Sequence, residues 1–328
     1  MKRLISGIKP SGEPTLGNYI GAIRQFIEMQ KEYESIIFIA DLHSITVPIE
    51  KDELKKNIKE LITIYLACGL DPEYTTIFLQ SENLYHANLS WILECNSYMG
   101  ELSRMTQFKE KSQNKKDNSI GCGLFTYPVL MASDILLYNA DVVPVGIDQK
   151  QHVELTRDIG IRFNNKYGET FKIPEPIIPK EGEKIKDLIN PAKKMSKSED
   201  NEKGCILLLE NLEVARKKIM SATTDSEMII KFDEENKPGI SNLMTIYSSL
   251  TNKNMKEIES DFKDCNYGTF KTKVADEVVK LLSNIQKKYK EYYDSDYVEK
   301  VLNDGLEKTN KMAKETYEKV IEKVGLIR

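Results

Sequence analysis

Through the first 163 residues, short apolar runs alternate with segments whose apolar positions recur every three or four residues. Leu4 to Ile8 reads as a strand, Pro10-Ser11-Gly12 as a turn, and Ile20, Ile23 and Ile27 as one side of a helix. Ile36 to Ala40 is a second strand. Leu54, Ile58, Leu61, Ile62 and Tyr65 then recur with helical spacing. Thr75 to Leu79, closed by Gln80-Ser81, is a third strand. Leu93 to Met105 and Tyr127 to Tyr138 read as helices, Val142 to Val145 as a short buried strand, and Gln149 to Phe163 as a helix.

Strands alternating with helices imply an α/β fold with a parallel sheet and right-handed crossovers. Ligands of such sheets bind beyond the carboxyl ends of the strands, near a switch point. That rule predicts one crevice bordered by Gly7 to Asn18, Asp41 to His43, Gln80-Ser81 and Gly146 to Gln149. Asn114 to Asn118 is polar and lysine-rich and reads as a mobile loop. Pro174, Pro176 and Pro179 punctuate another loop, and Ile185 to Ser198 is a connector. Beyond about residue 205 the pattern is almost wholly helical. Val298, Val301, Leu302, Ala313, Tyr317, Val320 and Val324 approximate one or two amphipathic stripes.

Composition changes this picture little. The 328 residues are 40% hydrophobic and 30% charged, which suits a folded chain of one or two domains. A net charge of −4 gives no global attraction to a polyanion, so any RNA contact must be local. Lys109, Lys111, Lys115 and Lys116, and Lys287, Lys288 and Lys290, are basic runs that serve either as such patches or as solvated faces. Five cysteines with no C-x-x-C pair, and three scattered histidines (His43, His86, His152), argue against a disulfide framework or a protein metal site. The sequence shows neither a signal-peptide pattern nor an apolar stretch near the roughly 20 residues of a membrane span. The expectation is a cytoplasmic protein without membrane contact.

Two segments carry chemistry. In Pro10-Ser11-Gly12-Glu13-Pro14-Thr15-Leu16-Gly17-Asn18, Gly17 lets a flat ligand approach the backbone. Thr15 and Asn18 bring polar groups to a helix N-terminus, where phosphate binds. The same residues also read simply as a strand–turn–helix connection capped by Thr15. In Lys194-Met195-Ser196-Lys197-Ser198, two ammonium groups three residues apart are placed to close on a polyphosphate. Alone, that segment equally reads as a solvated basic loop.

Together the segments resemble the HIGH and KMSKS signatures of class I aminoacyl-tRNA synthetases. Ser6 to Gly12, Gly17 to Ala22, Gly100 to Lys109, Asp134 to Tyr138, Asp148 to His152 and Lys237 to Asn242 are similar to bacterial tryptophanyl-tRNA synthetases, in order along the whole chain. The resemblance implies a Rossmann-type catalytic domain over 1–198. It also implies a helical tRNA- and anticodon-binding region over 199–328, whose last helix packs back on the catalytic domain. The substrates implied are ATP, L-tryptophan and tRNA(Trp), with Mg²⁺ carried mainly by the ATP phosphates and a homodimer as the assembly.

By the same resemblance Asp134 accepts the indole N–H, and Gly7, His43, Met131, Val143, Val145 and Gln149 complete the tryptophan side. An ionised carboxylate is an acceptor, and indole is only a donor, so phenylalanine would leave a buried acceptor unpaired. Tyrosine must be rejected by pocket shape. ATP is expected at Lys9, Pro10, Ser11, Gly17, Asn18, Lys111, Gly146, Ile147, Asp148, Ile185 and Lys194 to Ser198 (Lys194, Met195, Ser196, Lys197, Ser198). Thr15, Asn18, Lys194 and Lys197 are the expected catalytic residues. Three positions depart from the commoner pattern: Lys9 for glutamine, Ile5 for phenylalanine, and Ile147 for glutamate. The implied reaction is attack of the tryptophan carboxylate on the ATP α-phosphate, then transfer to a terminal ribose hydroxyl. The competing readings are a tyrosine–tRNA ligase, a non-catalytic binder of tryptophan or RNA, and an adenylyl transferase acting on another acceptor.

Overall fold

The computed structural model describes residues 1–112, 120–146, 149–177, 184–197 and 202–327. The loop expected at Asn114 to Asn118, with Lys115 and Lys116, lies outside these residues, as do Ile147, Asp148, Pro179 and Ser198. The described strands are β1 (Arg3–Ile8), β2 (Glu34–Ile39), β3 (Thr75–Leu79), β4 (Val142–Pro144) and β5 (Glu175–Ile177). They form one parallel sheet in the order β3-β2-β1-β4-β5, with Gly7 beside Phe38 and Phe38 beside Phe78. The order runs outward from β1 in both directions. The crevice beyond the ends of β1 and β4 is therefore the switch point of a Rossmann-type sheet.

From the β1 turn, α1 (Leu16–Asn18), a π-helical turn (Tyr19–Ile23) and α2 (Arg24–Met29) run on as one helix. α3 (Lys51–Cys68) ends at Gly69, whose φ of 114° suits a residue without a β-carbon. There follow α4 (Tyr85–Glu94), α5 (Met99–Leu102), α6 (Thr106–Ser112), α7 (Cys122–Leu136) and α8 (Lys150–Tyr167). The remaining helices are α9 (Leu212–Met220), α10 (Pro238–Thr251), α11 (Met255–Asp261), α12 (Tyr267–Tyr293) and α13 (Tyr297–Val324).

Two local expectations are corrected. The helix expected over Leu93 to Met105 is instead the end of α4, a break, and then α5. Asn96 Nδ2 donates to the Ile92 carbonyl (2.8 Å) and Ser97 Oγ to that of Leu93 (2.8 Å). These side chains take the acceptors that a continuing helix would use. The proline-punctuated loop contains β5, with Pro176 opposite Val143. Proline is tolerated there because β5 is an edge strand, where the missing N–H breaks no ladder.

Alternation along β2 divides the core. Ile37 and Ile39 join Leu16, Ile62, Ile206, Leu243 and Phe270 on one face, and Ile36 and Phe38 join Phe78, Val129, Leu136 and Phe163 on the other. α13 serves both faces, giving Val298, Val301 and Leu302 to the first and Ala313 and Val320 to the second. It passes between them over β3, where a β-carbon on Gly305 would fall on the Ile77 carbonyl oxygen. No helix among the described residues is long and apolar enough to cross a membrane. Gly305→Ala should cost about 2 kcal/mol or more by overpacking, read as a lowered midpoint in urea unfolding. An unchanged midpoint would mean that α13 is not pressed on β3.

Candidate active site

Beyond the ends of β1 and β4 lies a cavity of about 400 Å³. That is within the usual range for small-molecule sites. Its apolar walls include Ile5, Phe26, Phe38, Met131, Ile135, Val143 and Val145. Gly7 belongs to the wall because β1 runs against the Phe38 ring, and a β-carbon there would meet Phe38 Cζ at 2.5 Å. All the residues expected on the tryptophan side (Gly7, His43, Met131, Asp134, Val143, Val145 and Gln149) line this one cavity.

Asp134, on α7, is fully buried. Its Oδ2 lies 2.9 Å from His43 Nε2, and its Oδ1 lies 2.6 Å from His86 Nδ1 and accepts from Gln80 Nε2 (2.7 Å). Burial pushes the carboxyl upward in pKa, but the His43 and His86 contacts outweigh it and hold the group at about 2. It is ionised at neutral pH and can only accept, so both histidines present N–H to it. Sequence placed Gln80 on the crevice border without a role at Asp134, and did not pick out His86. The signal available was Gln80 at the carboxyl end of β3, a position the switch-point rule flags.

The cavity mouth is basic. Lys9 and Lys111 both line it, and burial together with the Lys111 ammonium holds the Lys9 ammonium below its usual range. Lys111 Nζ donates to Gln107 Oε1 (3.1 Å), which also accepts from the Tyr127 hydroxyl (3.1 Å). Two cations confined together favour an anion between them. Gly146 lines the same mouth.

The two signature segments meet beside this cavity. Thr15 and Asn18 form a reciprocal cap: Asn18 N donates to Thr15 Oγ1 (3.1 Å) and Thr15 N to Asn18 Oδ1 (2.9 Å). Asn18 Nδ2 makes no hydrogen bond among the described residues and is the donor left for a ligand. Leu16 N donates to the Ile206 carbonyl (2.8 Å) and Leu208 N to that of Pro14 (3.1 Å), tying the first segment to the chain beyond the second. Ile185 is bonded to Met195 N (3.0 Å), and Asn242 of α10 holds both backbone groups of Lys186 (2.8 and 3.0 Å). Lys197 Nζ donates to the Ser11 and Glu13 carbonyls, close over Gly12.

Within the expected nucleotide set, Pro10 is buried, and Ser11, Lys194 and Lys197 are exposed, with Ser196 half-buried. The space beside Gly17 is filled by protein, since a β-carbon there would lie 3.4 Å from Met195 and 3.5 Å from Ile185, whose side chains are buried.

Residues 1–283 match the family model described as tRNA synthetases class I (W and Y). Over 99% of its length the chain is 54% identical to the tryptophan–tRNA ligase of Malacoplasma penetrans, covering 98% of that protein. It is 52% identical to that of Bacillus subtilis, over 100% of this chain and 99% of the relative. The tryptophanyl-tRNA synthetase of Mycoplasma pneumoniae superposes with a TM-score of 0.86 at 40% identity, over 99% of this chain and 98% of that one. The chain belongs to the bacterial-type tryptophanyl-tRNA synthetases of class I. The synthetase activates tryptophan with ATP and transfers it to tRNA(Trp). The Campylobacter jejuni synthetase, complexed with ADP and tryptophan, superposes with a TM-score of 0.85 at 33% identity, over 98% of this chain and 99% of that one.

The lowered pKa of Asp134 has a pH consequence in this synthetase. Its stabilising contribution, roughly 2 kcal/mol, is complete above the unfolded pKa of about 4 and is lost as pH falls through about 2. The stability difference between wild type and Asp134→Asn should shrink as urea unfolding is repeated from pH 5 down to pH 3. A constant difference would show that the folded carboxyl is not held ionised.

Proposed function

We propose that tryptophan lies in the cavity with its indole N–H on Asp134 Oδ2 and its carboxylate toward the basic mouth. Convergence of an ionised buried carboxylate, apolar walls and two ammonium groups in one cavity carries this reading. An acceptor-only carboxylate rewards an indole donor and penalises phenylalanine. Gly7, Met131, Val143 and Val145 set the shape against tyrosine, and His43 and Gln149 flank the amino acid.

The nucleotide is assigned to the meeting place of the two signature segments. Lys9, Lys111 and Gly146 face it from the cavity. Pro10, Ser11, Gly17, Asn18 and Ile185 face it from the loops, with the segment Lys194 to Lys197 closing over it. ATP binding parts Met195 from Gly17 and lifts Lys197 off the Ser11 carbonyl onto phosphate. The tryptophan carboxylate, ionised at neutral pH, attacks the α-phosphate without a general base. The α-phosphate bond to pyrophosphate breaks as the carboxylate bond forms. Lys194 and Lys197 neutralise charge on the departing pyrophosphate, and the Asn18 amide and the Thr15-capped helix end orient the phosphates. Mg²⁺ enters with the ATP phosphates and water.

Residues 1–198 are proposed as the catalytic domain and 199–328 as the tRNA-binding region. The assembly is proposed to be a homodimer. Leu84, Trp91, Tyr98 and Met99 are all large, apolar or aromatic, and exposed, and Leu84 and Cys95, which cap α4, continue the exposed stripe of Asn88 and Trp91. Such a patch marks an interaction surface.

Lys197→Ala should slow tryptophan-dependent pyrophosphate exchange by about 10²–10³-fold while leaving tryptophan affinity nearly unchanged; exchange at the wild-type rate would remove Lys197 from the mechanism. Trp91 is the chain's one tryptophan. Trp91→Glu should convert the dimer to monomer in light scattering, and an unaltered mass would place the interface elsewhere.

A further inference from the structure

The two oxygens of Asp134 face different surroundings. Oδ2 meets His43, which lines the cavity. Oδ1 meets Gln80 and His86, neither of which lines it, and both of which are fully buried. His86 continues inward: its Nε2 lies 2.8 Å from the hydroxyl of Tyr138, itself buried. That hydroxyl accepts from Asn83 Nδ2 (3.0 Å), and Thr309 of α13 lies beside it. A buried polar chain thus runs from the Asp134 carboxylate through His86 to Tyr138, beside α13.

We propose that His86 and Tyr138 are specificity-positioning residues, which clamp the inner oxygen of Asp134 so that the outer one is aimed at the indole N–H. The proposal rests on the assignment of Asp134 to tryptophan made above. An ionised Oδ1 can only accept, so His86 Nδ1 carries a proton. In the neutral ring Nε2 is then an acceptor, and the Tyr138 hydroxyl donates to it. That donation selects the ring tautomer and orientation, as a second hydrogen bond on an imidazole does. The neighbours facing Asp134 are His43 from the turn after β2, Gln80 at the end of β3, His86 from α4 and Tyr138 just beyond α7. Lys9, Lys111 and Tyr127 share the cavity. His86 supplies one of the two histidine contacts that keep the carboxylate charged, so its removal makes tryptophan recognition sensitive to acid.

The test compares four variants in pyrophosphate exchange, with KM measured separately for tryptophan and ATP across pH 5–8. His86→Leu removes the donor. His86→Asn keeps an N–H close to the Nδ1 position. Tyr138→Phe removes only the hydroxyl, and Asp134→Asn tests the pocket itself. His86→Leu should raise the tryptophan KM about tenfold or more, because a hydrogen bond to a charged group is lost, and leave the ATP KM within about twofold. Its kcat/KM for tryptophan should fall more steeply than wild type below pH 7. His86→Asn should recover most of the loss, and Tyr138→Phe should fall between.

Equal rises in both KM values, or no rescue by asparagine, would make His86 merely structural and overturn the proposal. So would a folded His86→Leu protein with wild-type tryptophan KM. If His86→Leu does not fold, Tyr138→Phe decides, with a rise of about threefold or more in tryptophan KM alone supporting the clamp and none overturning it. An Asp134→Asn protein with unchanged tryptophan KM would instead overturn the pocket assignment.

Discussion

An ionised carboxylate shut away from water is tolerated only where its lone pairs are satisfied, and Asp134 shows what that demands of a fold. Its three partners come from the turn after β2, the end of β3 and α4. Those elements converge because the sheet is parallel and its strands end together on one side. The cavity opens at the same place because the chain order reverses beside β1. Apolar walls surround the charge, so a ligand entering here must present a donor to it and otherwise shed water. The fold's direction, the ligand's shape and the charge state of one side chain are therefore parts of a single constraint.

Much of this was legible in the sequence. Short apolar runs located β1 to β4, helical spacing located α3, α8 and α13, and the switch-point rule located the crevice. β5 was missed because three prolines over six residues look like a loop, and only its edge position makes Pro176 acceptable. The break after α4 was missed because apolar spacing does not register Asn96 and Ser97 turning back on α4. His86 could not be read from sequence at all. A lone histidine on a helix has no marked spacing, and its significance arises from Asp134, 48 positions away.

The first signature carried two readings, a helix cap and a nucleotide loop, and the geometry makes them compatible. Thr15 and Asn18 spend an oxygen and a backbone N–H each on the cap, leaving the Asn18 amide nitrogen to act outward. The lysine signature has a similar double character. Lys197 rests on carbonyl oxygens of the first signature, and Met195 is packed into the core beside Gly17. A loop built this way is anchored by one side chain and presents another at the surface. Asn242 of α10 secures its root at Lys186, so a residue of the helical half takes part in shaping the catalytic half.

The crossing of α13 over β3 has a consequence for how the chain comes into being. β3 is the outermost strand on its side, and the helix that lies across it follows the other described elements along the chain. A polypeptide emerging from the ribosome presents that flank bare until this helix has followed it out. An uncovered strand margin is a template for pairing with other chains. A chain that stops before this helix leaves that margin uncovered, and Gly305 is where the helix comes closest to it.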